Sequence, residues 1–150
     1  RFESLPSHFR TIAAQPRNAS FDVAYCNGVF HHIPPEERLE AVRFVSGCLR
    51  PGGLFALWEN NPWNPGTRYV MSRIPFDRDA RTLTPPETRR LVESAGLKVL
   101  HTDFCFFFPR SLGWFRGLEP SLHRFPLGAQ YLVLSERPPV SVNGSAGGKA

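Results

Sequence analysis

Residues 21–53, FDVAYCNGVFHHIPPEERLEAVRFVSGCLRPGG, decide the fold of this chain. The apolar run at residues 21–26 is typical of a buried strand, and an amphipathic stretch follows it after a short loop. A second apolar run, at residues 54–59, comes directly after the Pro-Gly-Gly turn. A strand, a crossover helix and a second strand predict a parallel βαβ unit, whose ligands bind at the carboxyl ends of the strands. We therefore expect the chemistry of this chain to lie around the ends of these two runs.

The helix of this unit is predicted between residues 34 and 50. Its first residues, PPEE, suit a first helical turn, because proline needs no hydrogen bond there and carboxylates favour the positive end of the helix dipole. Four apolar side chains recur at helical spacing and predict the face that packs on the sheet: Leu39, Val42, Val45 and Leu49. The turn at residues 51–53 ends the helix.

A second helix and two further strands are predicted downstream. Thr84 and Glu87 form a capping box, and Gly96 can supply the left-handed residue that ends the helix. Strands follow at residues 97–108 and 131–136. The element pattern is therefore that of an α/β domain.

Two long connections, at residues 60–83 and 109–130, interrupt this pattern. Connections between helices and strands are usually a few residues long, so segments of this length tend to form a lid or a pocket wall. The first contains aromatic side chains, which argue against disorder. The second contains apolar side chains, among them Trp114 and Leu118, that we expect to pack against the sheet.

The composition is that of one globular domain. The chain has 150 residues, 41% of them hydrophobic and 21% charged, and we assign residues 1–137 to one domain and 138–150 to a disordered tail. The net charge of +5 comes from scattered side chains, which does not favour a nucleic-acid partner. No apolar run reaches the ~18 residues that a membrane span needs.

The cysteines point to a reducing compartment. Three cysteines cannot complete a disulfide framework, and Cys26 and Cys105 lie within predicted strands. Buried reduced thiols favour a cytoplasmic protein. No CxxC pair occurs, so we expect no metal site.

Three motifs resemble a known family. FDVAY at residues 21–25, HHI at 31–33 and LRPGG at 49–53 are similar, in this order and spacing, to the second half of class I S-adenosylmethionine-dependent methyltransferases. The resemblance covers residues 21–137 and implies an α/β, partial Rossmann-like methyltransferase fold, with a mostly parallel sheet that ends in an antiparallel hairpin. The four predicted strands correspond to the family's fourth to seventh, and residues 1–5 to its third.

The resemblance implies transfer of a methyl group from S-adenosyl-L-methionine to a small or lipid-like organic acceptor. Such a reaction is an in-line displacement that depends mainly on positioning, with a base where the acceptor is a hydroxyl or an acidic carbon. His32 and His31 can titrate near neutrality and lie at the expected acceptor edge; structural packing is the alternative for both. Glu59 is a candidate to orient the acceptor or act as base, and a capping role is the alternative.

The same resemblance assigns the binding candidates. The cofactor candidates lie at the end of the first strand and directly after it, with one more near the amino terminus: Cys26, Asn27, Gly28, Val29 and Glu3. The acceptor candidates follow the second strand: Asn60, Trp63, Arg68 and Tyr69.

One element of the family pattern is missing. The family holds the donor's adenosine with a glycine-rich loop after its first strand, whereas Gly28 is the first glycine of this chain. We therefore expect a carboxyl-terminal fragment, whose incomplete sheet can pair with another chain. A non-catalytic methyltransferase-like remnant that acts as a protein-interaction domain is the main alternative. Another doubly wound enzyme, such as a nucleotide-dependent oxidoreductase, fits the motif order and the closing hairpin less well.

Overall fold

A four-stranded sheet forms the centre of the fold. The computed structural model of the chain describes residues 19–77 and 80–139. Its strands are β1 (Phe21–Asn27), β2 (Leu49–Asn60), β3 (Lys98–Cys105) and β4 (Gln130–Glu136), and they lie in the order β1-β2-β4-β3. β1 and β2 are parallel, whereas β4 runs antiparallel to both of its neighbours.

This topology confirms the predicted α/β fold with its closing antiparallel hairpin. The last strand does not add to the outer edge of the sheet but lies between β2 and β3. Among the described residues, the parallel part of the sheet is the single β1–β2 pair. The expected strand at residues 1–5, Glu3 with it, and residues 140–150 of the expected tail lie outside the described part of the chain.

The junction between helix and sheet differs from the prediction. Helix α1 (Arg38–Cys48) begins four residues later and ends two residues earlier than predicted, and β2 begins directly after it, at Leu49. The strand pairing skips residues here, because Phe21 lies opposite Leu49 and Val23 lies opposite Leu54. The Pro-Gly-Gly turn is therefore an irregularity within β2. A Cβ at Gly53 would lie 2.9 Å from the Phe21 carbonyl oxygen, so this close approach requires glycine.

The carboxyl end of α1 is held by a residue from the far end of the domain. Arg137 Nη1 donates hydrogen bonds to the carbonyl oxygens of Ser46, Gly47 and Leu49. A cation at this position satisfies carbonyls that the helix leaves without partners and complements the helix dipole. Arg137 therefore ties the segment after β4 to the carboxyl end of α1.

Both long connections contain helices. The first carries α2 (Pro65–Met71), and the second carries a 3₁₀ helix (Arg110–Leu118) followed by α4 (Glu119–Leu122). In the second connection Trp114 is 78% exposed and Leu118 is 53% exposed, so the expectation that these side chains pack against the sheet is wrong.

The second predicted helix forms, but the strand after it is shorter than expected. Helix α3 (Pro85–Ser94) begins at the predicted capping box of Thr84 and Glu87. β3 ends at Cys105 because Phe106 adopts a left-handed conformation (φ 61°), which takes the chain out of the sheet.

The core lies on one face of the sheet. Leu57 of β2 and Val133 of β4 are fully buried there, together with Val42 of α1 and Val92 of α3. The other face is open among the described residues, with Tyr25 61% exposed. None of the helices described is both long and apolar enough to span a membrane.

A polar network lies inside this core. The hydroxyl of Tyr131 donates to the carbonyl oxygen of Leu83 (2.8 Å) and shares a second hydrogen bond with Thr88 Oγ1 (2.6 Å). Burial raises the pKa of Tyr131 and the Thr88 hydrogen bond opposes this shift, so the ring stays neutral. The network ties β4 to the start of α3.

We expect Tyr131→Phe to lower the free energy of unfolding by about 1–3 kcal/mol, because it leaves a buried hydroxyl and a buried carbonyl without this partner. Urea unfolding measures the change, and Tyr69→Phe, at an exposed position on α2, is the control, with an effect within about 0.5 kcal/mol. Equal effects of the two substitutions would contradict a stabilising role for the network.

Candidate active site

The carboxyl ends of the strands meet at one edge of the sheet. Asn27 ends β1 and Asn60 ends β2, and these two strands run in the same direction. Gln130, the first residue of β4, pairs with Asn60 and donates to its side-chain oxygen (3.1 Å). Cys105, the last residue of β3, lies opposite Gln130 on the next strand. The predicted site therefore lies at this edge.

A tight turn at Gly28 begins the site. Gly28 has φ 64°, and its N–H donates to the carbonyl oxygen of Trp58 (3.0 Å) on β2. Glycine adopts this left-handed conformation without strain, and the turn leads directly into a 3₁₀ helix at Phe30–His32. Asn27 and Val29 are exposed on the two sides of the turn, where a ligand can reach them.

Glu59 holds the 3₁₀ helix in place through two hydrogen bonds. The side chain of Glu59 is fully buried, and its Oε1 accepts a hydrogen bond from the Phe30 backbone N–H (2.8 Å). Its Oε2 accepts from His31 Nδ1 at 2.6 Å. Both carboxylate oxygens are therefore engaged within the protein, which is the arrangement expected from the capping alternative. A role of Glu59 in catalysis stays a prediction.

The two histidines have different environments. His31 is buried against Glu59, whereas the side chain of His32 is 26% exposed and packs on Phe76, with ring centroids 4.4 Å apart. Both Nε2 atoms face the same atom, Asp77 Oδ1, at 3.8 Å for His31 and 3.4 Å for His32. We refer to His31, His32 and Asp77 as the His–Asp cluster.

The negative charge of Glu59 acts on the groups around it. Burial raises the pKa of the Cys26 thiol to about 11, and Glu59 adds to this shift. Burial also lowers the pKa of Arg38, while Glu59 opposes that change. Arg38 donates to the carbonyl oxygens of Ile33 and Arg81, so it holds the loop after the 3₁₀ helix. Cys26 is therefore a neutral, half-buried thiol at neutral pH and offers an apolar surface.

A cavity of about 690 Å³ lies beside the His–Asp cluster. Asp77 forms part of its wall, and Asn60 and Gln130 line it where the strands end. Apolar side chains form most of the remaining wall: Val70, Met71, Ile74, Phe106, Phe107 and Phe108. Its volume suits a small organic molecule.

The acceptor candidates occupy different places. Asn60 lines this cavity, whereas Trp63 lines a separate cavity of about 670 Å³ with His101 and Asp103. Arg68 and Tyr69 are exposed on α2, and neither lines the 690 Å³ cavity. The structure therefore brings Asn60 to the cavity and leaves the other three candidates away from it.

Sequence reasoning missed the side of α2 that faces the cavity. Asn64 accepts a hydrogen bond from the Thr67 backbone N–H (2.9 Å) and thereby caps the helix, with Pro65 at its first turn. This Asn-Pro start is a helix signal in the sequence. Helical spacing from Thr67 then leads to Val70 and Met71, both of which line the cavity.

Asn61 was also missed, although it joins the two long connections. Its side chain is fully buried, and Nδ2 donates to the carbonyl oxygens of Pro126 (3.0 Å) and Gly128 (2.7 Å). Its Oδ1 accepts from the Trp63 backbone N–H (3.0 Å). Asn61 is therefore a structural residue that shapes the rim of the site. Pro126 and Gly128 lie more than 60 residues away along the chain, so no local sequence pattern indicates these contacts.

Sequence comparison finds a family model that matches part of this chain. The family model described as "Methyltransferase domain" matches residues 7–57, which include β1, α1 and most of β2. A curated relative, the ubiquinone biosynthesis O-methyltransferase of Methylobacterium sp. (strain 4-46), is 28% identical over 127 residues. That alignment covers 79% of this chain and 47% of the relative, so the chain spans about half the length of the relative that it matches.

Solved structures share the fold. A SAM-dependent methyltransferase from Archaeoglobus fulgidus superposes with a TM-score of 0.63 at 13% identity, covering 83% of this chain and 62% of that one. The 1,6-didemethyltoxoflavin-N1-methyltransferase of Burkholderia thailandensis, solved with its acceptor and S-adenosylhomocysteine, has a TM-score of 0.55 at 16% identity, covering 85% of this chain and 48% of that one. In its sequence match and its fold, the chain is similar to class I S-adenosylmethionine-dependent methyltransferases.

Proposed function

We propose that this chain supplies the acceptor side of an S-adenosylmethionine-dependent methyltransferase that acts on a small or lipid-like organic molecule. The observation that carries the proposal is the 690 Å³ cavity at the carboxyl edge of the sheet, whose wall includes Asp77 of the His–Asp cluster. A methyl acceptor has to lie beside a group that can take its proton and in a space from which water is displaced. The largely apolar walls supply such a space, and the histidines of the cluster lie beside it, next to Asp77.

The walls of the cavity favour an acceptor with an apolar body. Phenylalanines from the segment after β3 and aliphatic side chains of α2 line the cavity, with Asn60 and Gln130 at the strand ends. An acceptor would therefore bury its apolar part between these segments and direct its reacting atom towards the strand ends. The curated relative is named for ubiquinone biosynthesis, which agrees with an acceptor that carries an apolar portion.

The donor would approach from the turn after β1. Asn27 and Val29 are exposed there, and Gly28 lets a ligand approach the backbone closely. S-adenosyl-L-methionine supplies a methyl group on a positively charged sulfur, so the protein has to align the two reactants and need not provide a nucleophile. The role of Glu3 stays a prediction for a residue outside the described part.

His32 is the member of the His–Asp cluster that we assign to proton transfer. It is more exposed than His31, and Asp77 lies 3.4 Å from its Nε2, where the carboxylate can orient the ring. His31 is held by Glu59 and has less freedom to meet an acceptor. We therefore assign His31 a positioning role.

The free thiols of Cys26, Cys48 and Cys105 support our inference of a cytoplasmic protein.

We expect the 150-residue chain alone to bind S-adenosyl-L-methionine weakly or undetectably, because it lacks the glycine-rich loop that holds the adenosine in this family. Isothermal titration calorimetry measures the affinity, with S-adenosylhomocysteine as a second ligand. Submicromolar binding to this chain would contradict our account of the missing half of the cofactor site.

In the full-length gene product, we expect His32→Ala to lower the rate of methyl transfer by about 100-fold or more while leaving donor affinity unchanged, as for loss of a general base. Turnover with labelled S-adenosyl-L-methionine and a panel of small phenols and amines measures the effect. His101→Ala is the matched control, since His101 also pairs with an aspartate (Asp103, 3.1 Å) but belongs to the other cavity. Unchanged turnover in His32→Ala removes the base role, and an inactive full-length protein favours the non-catalytic alternative.

We expect Val70→Trp to weaken acceptor binding in the same assay, because the larger ring would fill part of the cavity. An increase in the acceptor's KM of at least about tenfold, with donor KM unchanged, corresponds to the loss of about 1.4 kcal/mol of binding. Tyr69→Trp, one residue away on the exposed side of α2, should leave both values unchanged. Equal KM values for the two variants would place the acceptor outside this cavity.

A further inference from the structure

We propose that the His–Asp cluster is a binding site for a divalent transition-metal ion of the zinc class. The site comprises His31, His32 and Asp77, and their ligand atoms all lie within 4.8 Å of one another. Two imidazole nitrogens and one carboxylate form a donor set that suits zinc, and three protein ligands leave one position open. The inference goes beyond methyl transfer and does not depend on it.

The distances agree with the geometry of such a site. In a tetrahedral zinc centre with bonds of ~2.0–2.1 Å, two ligand atoms lie about 3.3 Å apart. The separations of Asp77 Oδ1 from His32 Nε2 and His31 Nε2 are 3.4 and 3.8 Å. The second separation is too long for a hydrogen bond, so His31 and Asp77 are not directly paired, and the gap between them is close to that between two ligands of one ion.

The tautomer of His31 supports the same conclusion. Its Nδ1 lies 2.6 Å from Glu59 Oε2, and a carboxylate accepts hydrogen bonds, so Nδ1 carries the proton. When the ring is neutral, the lone pair of Nε2 then faces Asp77 Oδ1, and a cation bound between these two atoms interacts favourably with both. A histidine that binds a metal and donates its other N–H to a carboxylate is the usual arrangement in metal sites.

An ion can reach the His–Asp cluster from solvent. His31 and Asp77 are largely buried, with side-chain exposures of 3% and 10%, whereas His32 is 26% exposed and provides a route of entry. Asp77 also lines the 690 Å³ cavity, so the open position of the ion can face that cavity. The ion would fix the first long connection to the turn after β1.

A bound ion takes up the His32 nitrogen that the proposed proton transfer needs. The two uses of His32 therefore exclude each other on one molecule, and the free protein is the form in which His32 can act as a base. Metal binding is measured without the methyl donor or acceptor, so failure of either proposal can be recognised separately.

The test is calorimetric titration of the 150-residue chain with zinc chloride in chelator-free buffer. We expect one zinc per chain, and a fall in affinity of at least about 100-fold in Asp77→Asn and in His32→Gln, since even outer-shell substitutions cost ~10–100-fold. His101→Ala, which alters the other His–Asp pair, should bind zinc as the parent does. Magnesium chloride should give no binding, because magnesium prefers an all-oxygen site.

Circular dichroism and urea unfolding establish that each variant folds. Asp77→Asn keeps the shape of its side chain and His32→Gln changes a partly exposed one, so the two variants test the site independently. Cobalt(II) provides a second readout, because thiolate ligands give an intense near-ultraviolet band that histidine and carboxylate ligands do not. The proposal is overturned if the parent chain takes up no zinc, if either folded variant retains full affinity, or if the cobalt spectrum shows thiolate ligation.

Discussion

The buried carboxylate of Glu59 is the interaction on which the site depends. It is fully buried at the end of β2, and its two oxygens accept hydrogen bonds from the Phe30 backbone and from His31. Breaking a buried pair by removing one partner costs about 3–5 kcal/mol, because the remaining charge has no compensation. The turn after β1 therefore has one stable arrangement over the end of β2. In that arrangement His31 and His32 face Asp77.

The same carboxylate links the site to the core of the domain. Its charge adds to the desolvation that keeps the Cys26 thiol and the Tyr131 hydroxyl protonated, and it offsets part of the desolvation of Arg38. Tyr131 in turn joins β4 to Thr88 on α3. Hydrogen-bonded groups of this kind hold a core in one arrangement, because each would be costly if left unpaired. The core side of this edge is thus held by hydrogen-bonded, buried groups.

The placement of β4 explains how a short chain forms a ligand-binding edge. β4 lies between β2 and β3, so the ends of β2 and β3 and the start of β4 all reach one edge of the sheet. Both long connections leave from that edge, and Asn61 joins them through the carbonyl oxygens of Pro126 and Gly128. The cavity lies between segments that are distant in sequence.

Local sequence patterns specify the secondary-structure elements and their order. The capping box at Thr84 begins α3, and the apolar runs became strands, because these features depend on neighbouring residues and their periodicity. The family resemblance supplied the closing hairpin and the edge at which Asn60 lies. The same local reasoning predicted that β3 continues to residue 108, because the residues next to Phe106 contain no signal for its left-handed conformation.

The contacts between side chains that are distant in sequence became known only from the tertiary structure. The long connection brings Asp77 back to the turn after β1, where it faces His31 and His32, while Arg68 and Tyr69 remain exposed on α2. Glu59 became an anchor because the register of β2 turns it towards the core under the 3₁₀ helix. Such contacts depend on the path of the whole connection and on the direction of each side chain. Residue types and their spacing along the chain therefore do not encode them locally.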